Sequence, residues 1–140
     1  MPHVTVLAEL RGSLTDVTSI AGKLAARTGP LQTTLTTIEW TPGEYYRSFF
    51  ALVAETEALA KLHRDTCEIA GECPRRPYHL SLMYTDRLSN AERAAIRDSI
   101  YQQRGGQGFG MELLLTRLQV CSSSGLPPEE WTCPVAIALH

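Results

Sequence analysis

The sequence predicts an α+β domain built largely on antiparallel strands. Three observations predict it: long alternating stretches rich in β-branched residues, three amphipathic helical stretches closed by Gly or Pro, and strands that follow one another through short turns. A doubly wound parallel sheet would instead need each strand to be followed by a helix. The chain has 140 residues, the length of one domain and enough to bury a core without metals, so a single domain over 1–140 is expected.

The elements follow in order. Residues 3–9, HVTVLAE, alternate and read as a strand. Over 14–27, Leu14, Val17, Ile20, Ala21, Leu24 and Ala25 share one helical face, with Ser13 or Thr15 near the start and Gly29-Pro30 at the end. LQTTLTTIEW alternates, TPGE turns and YYRSFFALVA returns, which reads as a β-hairpin. A second helix, about 55–70, carries Leu59, Leu62, Cys67 and Ile69 and breaks at Gly71 and Pro74. YHLSLMYT is strand-like. Ser89 or Asn90 then caps a third helix with Ala94, Ala95, Ile96, Ile100 and Tyr101 on its apolar positions, ended by RGGQGFG. Two strands, MELLLTRLQVCS and WTCPVAIALH, close the chain across the loop SSGLPPEE.

Composition excludes several function classes. The formal charge is -2 with acids and bases interspersed, so no basic stripe marks a binder of long nucleic acid, and a phosphate-bearing ligand must be small. No apolar run has the length of a membrane span, and the first residues lack a signal-peptide pattern, so a cytoplasmic protein is expected. Cys67, Cys73, Cys121 and Cys133 form no CxxC pair and have no His at zinc spacing. In a reducing compartment they are free thiols or packing residues; Cys67 and Cys73, flanking a short Gly-containing connection, would pair in an oxidising one.

The order of elements contains an echo. A strand with His-Val-Thr, a helix and two strands are followed, after a further helix, by a strand with His-Leu-Ser, a helix and two strands. In a strand, residues i and i+2 face the same way, so His3 and Thr5 project together, as do His79 and Ser81. If the halves face one another, two imidazoles and two hydroxyls meet in one cleft. A lone His-X-Thr is usually structural, but two copies in matching contexts point to acid-base chemistry at phosphorus. Histidine can accept or donate a proton near neutral pH, and the hydroxyls can hold non-bridging phosphate oxygens. His63, on a helix, and His140, at the C-terminus, read as surface residues.

PHVTVLAEL and PYHLSLMYTD resemble the two signature strands of the 2H phosphoesterase superfamily, and the tyrosine after His-Leu-Ser is similar to that of its cyclic phosphodiesterase branch. EEWTCPVAIAL and GEYYRSFFALVAETEALAKLH also resemble segments of that branch, so the likeness covers essentially the whole chain. The resemblance implies two pseudo-symmetric lobes, each with an antiparallel sheet and flanking helices, around a central cleft. It implies metal-independent hydrolysis of nucleoside 2',3'-cyclic phosphates or of ADP-ribose 1'',2''-cyclic phosphate, a by-product of tRNA splicing, with no cofactor. His3 and His79 fall on the catalytic positions, and Thr5, Ser81 and Tyr84 on the substrate-binding ones. His79 is assigned as base for water and His3 as acid, with the roles exchanged for the reverse reaction.

The family normally places a strand and a helix before the first motif, whereas this sequence opens on it. The expected consequence is an incomplete first lobe, with a sheet edge unpaired, apolar surface uncovered and His3 in a frayed segment. A monomer is expected, with self-association open to it through that lobe. Two alternatives stand beside the hydrolase: an RNA-end phosphodiesterase or ligase-like enzyme, which needs a more basic surface, and a catalytically weak or inactive nucleotide-binding module. Trp131 is either core, the commoner fate of a lone strand Trp, or a stacking platform for a base. Arg75 and Arg76 read as solvated loop charges rather than phosphate guides, and RGGQGFG as a flexible turn where a lid could sit.

Overall fold

The computed structural model of the chain describes residues 2–106, 108–122, 125–127 and 130–140. The elements are α1 (Leu14–Arg27), β1 (Leu31–Glu39), a 3-10 turn (Tyr45–Arg47), β2 (Phe49–Val53), α2 (Glu57–Ala70), β3 (His79–Met83), α3 (Asn90–Gln103), β4 (Met111–Leu115), β5 (Arg117–Ser122) and β6 (Thr132–Ala138). The protein is therefore mixed α+β. One sheet has the order β3-β2-β1-β4 and the other pairs β5 with β6; the β1–β2, β2–β3 and β5–β6 pairings are antiparallel. Two compact units result: the first is Met1–Val6, Thr33–Thr56 and Arg75–Leu113, the second Leu7–Gln32, Glu57–Pro74 and Leu114–His140.

In the first unit, strand register sorts the side chains of the four-stranded sheet. Leu35 lies opposite Val53, Ile38 opposite Ala51, and Ala51 opposite Leu80. Directly paired residues share a face, so these five apolar residues line one side, and all are buried. The other side carries the intervening positions: Phe50 lies opposite Ser81 and Leu52 opposite His79. Helix α3 starts on a capping box in which the Ser89 hydroxyl accepts from the Glu92 N–H and the Glu92 carboxylate accepts from the Ser89 N–H. The Tyr101 hydroxyl anchors the helix by accepting the Ile38 N–H at 2.7 Å.

The second unit packs α1 against α2 and against the β5–β6 hairpin. Leu24, Ala25, Leu31, Leu59, Leu62, Val120 and Leu139 are its buried apolar residues. Ser13 caps α1 through a second capping box with Asp16. Lys61 ties the helices together, donating to the Arg27 carbonyl at 2.9 Å and pairing with Asp65.

Five expectations change. In YYRSFFALVA, Tyr45–Arg47 form a 3-10 turn, and the returning strand is confined to Phe49–Val53. The strand over 3–9 reduces to one isolated bridge, Val4 to Leu80, because Leu7 onward belongs to the second unit and Glu9 takes a left-handed φ of 59°. The single strand over 111–122 breaks at Thr116, so that β4 and β5 join different sheets. All four cysteines are paired, Cys67 with Cys73 and Cys121 with Cys133, where free thiols are expected of a reducing compartment. His63 is half-buried, with a ring nitrogen 3.2 Å from the Pro74 carbonyl oxygen, and is not a surface residue. Gln107 of the glycine-rich turn, and Ser123, Ser124, Pro128 and Glu129 of the last loop, lie outside the described residues. No helix among the described residues is long and apolar enough to cross a membrane.

Candidate active site

Both His-X-hydroxyl motifs belong to the first unit, side by side, instead of one in each half. The antiparallel Val4–Leu80 bridge sets their register. One residue to either side of it, His3 stands opposite Ser81 and Thr5 opposite His79. Val4 and Leu80 point to the apolar face, so His3, Thr5, His79 and Ser81 all project from the other one. His3 and His79 are then diagonal neighbours, about 7–8 Å apart at their backbones. That spacing leaves room for a phosphorus atom between the two rings.

The environment distinguishes the histidines. The His79 ring lies 5.0 Å from the Phe50 ring, centroid to centroid, and is half-buried. Burial, then the positive charges of Arg47 and His3, hold its pKa below the ordinary 6.5. His79 therefore stays neutral through the neutral range, the form a base requires.

Arg47 is the site residue that sequence reasoning misses. Its guanidinium sits 5.0 Å over the Phe50 ring, and its Nε is buried without a hydrogen-bond partner. A cation in that position suits an anion bound beside His79. A signal does exist in YYRSFF, where an arginine stands two residues before an apolar strand; recognising it requires knowing that Phe50 pairs with Ser81.

Tyr84 joins an aromatic cluster at the end of β3. Its ring stacks on Tyr45 at 5.9 Å and meets Tyr46 edge-on at 6.2 Å. The Ser81 hydroxyl donates to the Tyr46 carbonyl at 3.4 Å, a long bond that an incoming phosphate oxygen can replace. Thr5 is exposed. Two of the other residues singled out from the sequence, Arg76 and Trp131, have structural partners. Arg76 pairs with Glu55 at 2.9 Å, Arg75 is exposed, and the Trp131 indole N–H, in the second unit, donates to the Leu126 carbonyl.

No protein-family model matches the chain, and no curated protein matches it.

Proposed function

We propose that the protein hydrolyses small cyclic phosphodiesters, nucleoside 2',3'-cyclic phosphates or ADP-ribose 1'',2''-cyclic phosphate, by a metal-independent two-histidine mechanism. The observation that carries the reading is the single bridge that puts two imidazoles and two hydroxyls on one sheet face. His79, kept neutral, takes a proton from water as the water oxygen bonds to phosphorus. The bond from phosphorus to the leaving ribose oxygen breaks, and His3, in the role of acid, delivers a proton to that oxygen. The hydroxyls of Thr5 and Ser81 hold the non-bridging oxygens, Tyr84 borders the phosphate, and Arg47 offsets the charge that builds there. This reading carries with it the two-lobed 2H phosphoesterase fold.

A second reading, a nucleotide-binding module of weak or no activity, draws on the isolation of the Val4–Leu80 bridge, since a loosely held acid loses positional advantage. The test is incubation with 2',3'-cyclic AMP and ADP-ribose 1'',2''-cyclic phosphate, followed by phosphorus NMR, with and without chelator. Phosphomonoester formed at equal rates in both supports the hydrolase. Binding without turnover selects the module, and loss of turnover in chelator rejects the two-histidine mechanism.

The expected cytoplasmic setting is the part of the reading least favoured by the fold. Disulfides persist in oxidising compartments, and two are formed here.

A further inference from the structure

Beyond the aromatic cluster, the loops that follow β1 and β3 enclose with the start of α3 a cavity of about 270 Å³. Arg93 lines it and is only 6% exposed. One of its terminal nitrogens donates to the Thr85 carbonyl at 3.2 Å, its Nε has no partner, and none of the ion pairs among the described residues includes it. The Nε is itself closed off, so it is the positive charge of Arg93 at the cavity wall, paired with no carboxylate in those ion pairs, that favours an acceptor-bearing ligand there. The Asn90 side-chain oxygen accepts from the Trp40 indole N–H at 3.1 Å, so what this lining residue retains to offer is its amide N–H groups, as donors.

The acceptors of the cavity are equally defined. Glu44 and Asp86 line it and are exposed, which puts two carboxylate-bearing residues at its wall. They would repel a second phosphate and accept from N–H groups. Tyr45, 38% exposed and stacked on Tyr84, adds an aromatic ring to the lining. The ligand that matches has two acceptors on one edge, two donors on the next and a flat ring. Guanine presents O6 and N7 to a guanidinium, and N1–H and N2–H to a carboxylate. Adenine lacks the carbonyl, and the Asn90 amide, its oxygen already engaged, cannot make the bidentate contact that adenine requires.

We propose that this cavity is a guanine-binding subsite for the base of a substrate whose cyclic phosphate lies against His3 and His79, a proposal that rests on the function assigned to those histidines. Continuity supports it. Tyr84 is three residues beyond Ser81, about 10 Å along the strand and comparable to the length of a nucleoside, and Tyr45 touches both Tyr84 and the cavity.

The full-length chain is titrated calorimetrically with guanosine, adenosine, cytidine and uridine, and its kcat/KM is measured on the four 2',3'-cyclic nucleotides. Guanosine is expected to bind about tenfold or more tightly than the others, with the same order in kcat/KM. Asp86→Asn and Tyr45→Ala, both at exposed positions, should each remove most of that preference while the circular dichroism spectrum stays native. His79→Asn should abolish turnover and keep guanosine binding. Equal affinity for all four nucleosides, or a preference unmoved by Asp86→Asn, would overturn the subsite even in an active enzyme. Selective guanosine binding without hydrolysis of any cyclic nucleotide would overturn the histidine assignment and leave the guanine site standing.

Discussion

Replacing Arg47 by methionine keeps the aliphatic packing over Phe50 and removes the charge. The guanidinium is 5.0 Å from the Phe50 centroid, and that centroid is 5.0 Å from the His79 ring, so the cation lies within about 10 Å of the base. At that limit the Coulomb energy between unit charges is about 1.7 kcal/mol at an effective dielectric of about 20, and about 0.4 kcal/mol in water. A substrate phosphate beside His79 should lose an amount in this range, which raises KM by about 2-fold to 20-fold. The same substitution removes one of the causes that lower the His79 pKa, so the acid limb of kcat/KM should move to higher pH. Steady-state kinetics from pH 5 to 8 and NMR titration of the His79 ring protons read both effects. An acid limb that stays put or moves down, together with an unchanged KM, would refute the placement of Arg47 in the site.

Other expectations follow from the same geometry. His3→Ala and His79→Ala should each lower kcat on the order of 10²–10⁴-fold; a wild-type rate in either variant removes that histidine from the mechanism. Because His79 has a lowered pKa in the folded state, unfolding takes up a proton as pH falls from above 6.5 toward that lower value, so stability should decline across this window and level off below it. Denaturant melts of wild type and His79→Gln would show the decline only in wild type. Cys121→Ser opens a disulfide with a sequence separation of 12, worth about 3 kcal/mol by loop entropy, and thiol titration of native protein should find no free cysteine until reductant is added. Leu62→Ala, at a position 1% exposed, should cost about 2–5 kcal/mol in a urea melt.

Much of this was legible where the physics is local. Helix α1 spans Leu14–Arg27, the range its apolar spacing predicts, and of the two candidates the sequence offers at each helix start, Ser13 and Ser89 are the caps. The His-X-hydroxyl pairs are visible because strand alternation is a local rule. What escaped were the long-range features. Thr116 changes strand partner without a Gly or Pro to mark the change, and the pairing of Cys121 with Cys133 depends on the β5–β6 register. Arg47 reaches the site only through the pairing of β2 with β3, and the burial of Arg93 at the start of α3 comes from tertiary packing that no local pattern marks.

The division of the chain into interleaved segments has a consequence for biosynthesis. Neither unit is a continuous stretch, so neither can be complete on a ribosome until residues near Leu113 have emerged. Val4 is translated well before Leu80, the residue it bridges, which arrives only after the two intervening helices have been made. Its pairing is thus a contact of high sequence separation, whose loop closure is slow and entropically costly. Half of the candidate active site is synthesised first and can be positioned only later, so a nascent chain stalled before β3 would carry one histidine motif with no partner strand to hold it.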